Sequence, residues 1–387
     1  MATDRDQPLD AHPHLGEARE LLARHPVFDG HNDLPWEIRK YPDAPGDLDA
    51  YDLLQRAPGT GQTDLPRLRL GGVGAQFWSV YVPSEGQAGR AVLQLEQLDL
   101  ARRMVARYPD DLALCRTADD VDAALATGRI ASLFGMEGGH VLEGSLGALR
   151  AYWDLGARYL TLTHNQSNDL ADSATGEARH GGLSEMGRAV VAEMNRLGML
   201  VDLSHVSADT MADALEVSRA PVIFSHSSAR ALCDVKRNVP DDILRRVSGN
   251  GGVVMVTFVS GFVSPDAAEI LIPAIEEFNR RAAGLTDVAA REALSREIVD
   301  SLDVPSPTVS TVADHVEHVA AVAGPEHVGL GGDFDGTSFL PVGLEDVSGY
   351  PNLFAELIGR GWSEEHLAAL ANGNIRRVLR EAERVAA

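Results

Sequence analysis

Residues 199–207 read MLVDLSHVS and residues 221–228 read PVIFSHSS, two short apolar runs that each lead into Ser-His. Runs of this length, rich in Val, Ile, Leu and Phe, read as buried β-strands whose last residue turns polar. His205 and His226 then stand at the same end of consecutive strands. The pattern recurs outward from this pair: VFDG runs into His31-Asn32-Asp33, IASLFGM into Glu137, YLTLT into His164 and HVGLGG into Asp333. In every case the group able to hold a metal or move a proton lies on the carboxyl side. Independent core histidines have no reason to favour one end of every strand.

Eight apolar runs occur, at residues 27–28, 73–82, 130–136, 159–163, 199–203, 221–224, 253–258 and 328–330. Between most of them lie amphipathic helical stretches, at 90–108, 118–126, 146–155, 186–197 and 208–217. In the first, Val92, Leu95, Leu98, Met104 and Val105 fall largely on one face. Thr117 and Ser207 stand where helices start, and Gly128 and Gly198 where they stop. Strands alternating with helices pair in parallel through right-handed crossovers. The expected fold is therefore α/β, a closed (β/α)8 TIM-type barrel with its chemistry at one rim.

Two segments exceed the barrel's needs. Residues 35–72, polar and rich in Pro and Gly, read as a long loop after the first strand. Residues 264–303 read as a helical insertion between strands seven and eight. Both leave from carboxyl ends of strands and can cover the rim. With 1–22 as an N-terminal extension and no composition shift, 1–387 is expected to be one domain.

The formal net charge of −23 disfavours nucleic acid and anionic membranes as partners. Two cysteines, Cys115 and Cys233, exclude a disulfide framework. No apolar stretch has the length of a membrane span, and neither end shows a targeting or anchor signal, so a cytoplasmic location is expected.

Taken singly, each candidate has a bland reading. His31-x-Asp33 puts imidazole and carboxylate on one side of a strand, but such a pair is usually no metal site. Glu137 alone reads as a turn carboxylate. His12, His14 and His25 precede the barrel, His140 reads as structural, and His315 and His318 share a helix face expected to be solvated. The only lysines, Lys40 and Lys236, sit at no strand end. A lysine-derived bridge between two metals is thus excluded, and Glu137 is the free carboxylate for that role. Asp333 should face the rim as proton shuttle, with Asp335 behind it in the turn. Arg237 reads equally as a substrate contact or as a surface ion pair with Asp234 or Asp241.

These residues lie in a set of motifs: GHNDLP at 30–35, GMEGGH at 135–140, LTHNQSN at 162–168, DLSHVS at 202–207, FSHSSAR at 224–230, RNVPDD at 237–242, GGDFDG at 331–336 and NGNIRRV at 372–378. In them the chain resembles the membrane dipeptidase family, the renal dipeptidase-like M19 metallopeptidases of the amidohydrolase superfamily. The resemblance spans residue 27 to about residue 380 and is specific only as a set. It implies two Zn2+ ions, one on His31, Asp33 and Glu137 and one on Glu137, His205 and His226. It also implies His164 on the scissile carbonyl oxygen, Arg237 on the substrate carboxylate and Asp333 as acid/base. The expected reaction is hydrolysis of dipeptides, with a carboxyl-terminal residue of D or L configuration, by a hydroxide bridging the metals. A non-covalent homodimer is a further implication. Phe262 falls where some members have a tyrosine near the substrate, so that hydroxyl contact is not carried over. The alternatives are another amide, lactone or phosphoester hydrolase on the same barrel, or a non-catalytic metal-binding homologue.

Overall fold

The Val-, Ile- and Leu-rich runs become parallel strands buried on both faces, as expected where helices cover a sheet. In the computed structural model, which describes residues 12–57, 61–84 and 89–386, these are β1 (Val27–Asn32), β2 (Val73–Ser79), β3 (Leu112–Leu114), β4 (Ile130–Glu137), β5 (Ala157–Thr161), β6 (Leu200–Asp202), β7 (Ile223–Phe224), β8 (Val253–Val256) and β9 (Val328–Leu330). Eight close a ring in the order β1, β2, β4, β5, β6, β7, β8, β9, and β9 pairs back onto β1 at Leu330 and Asp29. The ring is a parallel eight-stranded barrel of TIM type.

β3 is absent from the eight runs read in the sequence. It pairs with residues 130–132 of β4, below Phe134, where β5 takes over that edge. Its three residues pass from buried to exposed, so no apolar run marks it.

Phe28, Phe77, Leu133, Tyr159, Ile223 and Met255, from six strands around the ring, pack into one cluster. That clustering places them inside the barrel. Tyr159 crosses this interior over Gly135, where an added Cβ would come within 1.9 Å of the phenol Cζ.

Three expectations are corrected. The segment 35–72 is not only loop: helices Leu34–Lys40 and Leu65–Leu70 occupy its ends. Asp64 caps the second by accepting from Arg67 N–H, and a proline starts each. On the helix Arg90–Arg107 the buried face includes Gln94, Gln97, Leu98, Ala101, Met104 and Val105, while Val92 and Leu95 are exposed. Gln94 is inside because its amide donates to the Val80 carbonyl at 2.9 Å. His315 is buried rather than solvated: its Nε2 lies 3.0 Å from the Val263 carbonyl, and its Nδ1 accepts from Ala229 N–H at 3.1 Å. His318 is half-buried against Asp241 at 2.8 Å.

The insertion between the seventh and eighth ring strands holds helices Pro265–Ala282 and Val288–Val299, as expected. Of the N-terminal extension, residues 1–11 lie outside the described residues. The helix Leu15–Arg24 buries Leu15, Ala18, Leu21 and Leu22. Among the described residues no helix is long and apolar enough to cross a membrane.

Gly135→Ala should cost roughly 1–3 kcal/mol through displacement of Tyr159. Gly16→Ala, with open space around it, should be near neutral. Denaturant midpoints read both, and equal stability of the two variants would contradict the packing described. Burial pulls the His315 pKa down to about 4, below the ~6.5 of an unfolded chain. Its contribution is therefore full above roughly pH 6.5 and lost as pH falls toward 4, on the order of 3 kcal/mol. His315→Gln should flatten the acid dependence of the midpoint over that window; an unchanged slope would contradict it.

Candidate metal centre

All the candidate residues leave the carboxyl ends of ring strands. His31 is in β1, and Asp33 follows it as the residue before the helix Leu34–Lys40. Glu137 is the last residue of β4. His164, His205, His226 and Asp333 sit in the loops just beyond β5, β6, β7 and β9. Among non-glycine described residues, positive φ occurs at Glu143, His205 (67°), Asp333 (60°) and Asp335 (63°). Three of the four are at this rim, where a strained backbone persists only if its surroundings hold it.

Glu137 is the centre of the arrangement. Its Oε1 lies 2.9 Å from His205 Nε2, 3.6 Å from His226 Nε2 and 3.8 Å from His164 Nε2. Its Oε2 faces the other way, 3.5 Å from His31 Nε2. His31 Nε2 also lies 3.3 Å from Asp33 Oδ2 and 3.9 Å from Asp333 Oδ1. Buried and without a hydrogen-bond partner among the described residues, that nitrogen faces three carboxylates. His205 and His226 point their Nε2 atoms at each other, 2.9 Å apart.

These contacts define ligand groups close enough for one ion each: His31, Asp33 and Glu137; Glu137, His164 and His205; and His31, His226 and Asp333. Glu137 belongs to two of them. Imidazole and carboxylate donors converging on a buried site suit a borderline divalent cation. The partnerless His31 nitrogen is the kind of atom such an ion satisfies. The residues therefore fit a metal.

Charge within the site follows the same logic. Burial penalises the Glu137 carboxylate, but His31 and His164 outweigh it and hold its pKa well below the usual range. Burial opposes protonation of His31 too, yet the Tyr159 oxygen and the Glu137 and Asp33 carboxylates hold its pKa well above normal. Burial drives His205 and His226 well below, aided by Arg237 and His164 for the first and His31 and His205 for the second. Burial, with Asp33 and Glu137 beside it, pushes the Asp333 carboxyl well up against the pull of His31 and Arg237. Cation uptake at such a site displaces protons from its ligands.

A further layer orients these groups, and the sequence reading missed it. His31 Nδ1 meets Tyr159 OH at 2.8 Å. His226 Nδ1 lies 2.8 Å from Ser225 Oγ, which donates to Asp202 Oδ2 at 2.6 Å. Asp29 accepts from His31 N–H at 2.8 Å and also from Tyr350 OH. Asp29 was not reachable through the strand period, because the strand bulges between Asp29 and Asn32 and the Asp29 carboxylate turns toward Gln76. Tyr159 and Asp202 carry no signal either, since each sits inside an apolar run.

Arg237 is buried and pairs with no carboxylate among the described residues. It lies 3.4 Å from both Ser227 Oγ and the His226 carbonyl, with its guanidinium 5.1 Å from the Phe262 ring centre. Its Nε has no hydrogen-bond partner among the described residues. Asp241 pairs with His318 and Arg245 instead, so the surface ion pair with Asp241 does not form. Burial lowers the Arg237 pKa to about 10, and the group stays charged at neutral pH. His140 stands apart, buried, with Nε2 3.1 Å from the Val82 carbonyl and its pKa lowered by burial to about 3.

Residues 15–387 match the family model of membrane dipeptidase, peptidase family M19. The chain is 43% identical over 381 residues to Dipeptidase 3 from Rattus norvegicus, covering 96% of this chain and 68% of that protein. Among solved structures it resembles the probable dipeptidase PvdM from Pseudomonas aeruginosa, with a TM-score of 0.82 at 23% identity over 96% of this chain and 99% of that one. It also resembles a metallo peptidase from Rhodobacter sphaeroides liganded with a phosphinate mimic of L-Ala-D-Ala, with a TM-score of 0.75 at 27% identity over 92% of this chain and 99% of that one. The chain belongs to the membrane dipeptidase family, peptidase family M19.

Proposed function

We propose that the protein is a dipeptidase working with two zinc ions, His31, Asp33 and Glu137 holding one and Glu137, His205 and His226 the other. The observation that carries this is Glu137 turning one carboxylate oxygen toward each cluster. Two divalent cations at such a site supply Lewis-acid polarisation of a carbonyl and acidify water near neutral pH. The phosphinate dipeptide mimic on the Rhodobacter sphaeroides relative supports a dipeptide substrate, including one with a D carboxyl-terminal residue.

The chain's own groups have separable tasks. His164 donates to the scissile carbonyl oxygen, where charge develops in the transition state and one donor contributes roughly 3–4 kcal/mol. Asp333 takes a proton from the attacking water and returns it to the amine nitrogen as the C–N bond breaks. A carboxyl whose pKa is pushed up by burial suits that exchange. Arg237 grips the substrate carboxylate one residue beyond the scissile bond. A longer peptide offers only a neutral amide there and leaves the buried guanidinium unpaired. Phe262 stacks beneath that guanidinium.

The purified protein should hydrolyse dipeptides, lose activity to a chelator and regain it with Zn2+, while lactones and organophosphates react poorly. Dipeptides left intact by the zinc-loaded protein would refute the proposal. Asp333→Asn should lower kcat by roughly 10²–10⁴ with zinc content unchanged, and near-normal turnover would remove Asp333 from the acid/base role. Arg237→Ala should raise KM for dipeptides by roughly 30-fold or more yet barely alter hydrolysis of a dipeptide amide. Equal effects on the two substrates would exclude a carboxylate clamp.

A further inference from the structure

Gln62 lies in the segment that reaches the rim just before the helix Leu65–Leu70, outside every metal-facing group. Three hydrogen bonds join it to the turn that carries Asp333. Its backbone N–H donates to Asp335 Oδ1 at 2.7 Å. Its Oε1 accepts from Asp335 N–H at 2.7 Å, and its Nε2 donates to the Thr337 carbonyl at 2.7 Å. Its own carbonyl accepts from Val347 N–H at 3.2 Å, which anchors the clasp to a second part of the barrel.

The turn needs holding. Asp333 and Asp335 both adopt left-handed backbone, which a non-glycine side chain resists. Gly336 presses so close that a Cβ there would sit 2.3 Å from Asp333 Oδ1 and 2.4 Å from Asp33 Oδ2. Two ties come from the end of β1: Asp333 N–H donates to the His31 carbonyl at 3.2 Å, and Asp33 N–H to the Phe334 carbonyl at 2.8 Å. Both hold the near side of the turn. Residues 335 and 337, on the far side, are held by Gln62.

We propose that Gln62 is a positioning residue for proton transfer, fixing the direction of the Asp333 carboxylate without touching substrate. The inference rests on Asp333 being the acid/base. A residue that only staples its segment to the barrel would change stability and nothing specific in the kinetics.

Steady-state kinetics on the zinc-loaded full chain separate these roles, with Gln62→Ala, Asp333→Asn and the double variant compared. Gln62→Ala should lower kcat roughly 10- to 100-fold, leave KM within about twofold and leave zinc content unchanged. In the Asp333→Asn background the same change should cost less than about twofold, because both act through one group. Gln62→Glu keeps the backbone donor and the side-chain acceptor for Asp335, and should restore part of kcat; should the alanine variant not fold, this one carries the test through the same cycle. Losses that multiply in the double variant, or normal kcat in Gln62→Ala beside an impaired Asp333→Asn, would overturn the clasp and leave the acid/base role intact. An active Asp333→Asn would instead remove the acid/base reading itself, and the clasp with it.

Discussion

A carboxylate buried among four imidazoles sets the terms for the rest of this barrel. Glu137 is 4% exposed and lies within 4 Å of nitrogens from His31, His164, His205 and His226. Removing such a charge from water costs several kcal/mol unless something repays it. Asp33 and Asp333 add two carboxyl groups on one flank, while burial holds His205 and His226 neutral on the other. A protonated His31 answers part of the imbalance. Cations between the clusters would answer it more fully and satisfy the His31 nitrogen, which no hydrogen bond from the described residues reaches. The parallel barrel is what brings these groups together, because each strand delivers its carboxyl end to the same rim.

Behind the converging imidazoles and carboxylates stands a layer that fixes their direction. Tyr159 holds the far nitrogen of His31, and the Asp202–Ser225 pair holds that of His226. Such partners set which imidazole nitrogen faces the ion and how basic it is. The two clusters differ here, one backed by a neutral phenol and the other by a hydroxyl on a carboxylate. Gly135 makes room for Tyr159, so packing inside the barrel and ligand orientation are one problem. Strain at His205, Asp333 and Asp335 fits the same picture, since those residues trade backbone comfort for a direction.

The convergence of these side chains on one rim was legible because strand ends repeat one pattern, and a long run such as residues 130–136 marks where its strand stops. Short elements were not legible. Leu112–Leu114 offers three residues and half a face, too little for a period. His315 reads as surface by residue type beside His318, although Val312 and Val319 share its face, and the tertiary partners Ala229 and Val263 satisfy it inside. Val92 and Leu95 fit an apolar stripe, yet Gln94 takes the inner place through the Val80 carbonyl. Tyr159, Asp202 and Gln62 act through partners 128, 23 and 273 residues away, and one sequence shows no such pairing. Arg237 reads either way in the sequence, and only its burial, with no carboxylate partner among the described residues, removes the surface ion pair.

Diffraction from zinc-grown crystals at the zinc absorption edge tests the shared carboxylate most directly. Two anomalous peaks are expected, one beside His31 and Asp33 and one beside His205 and His226, with Glu137 between them. A single peak, or two peaks with Glu137 turned away from either, would contradict a metal pair organised around that residue.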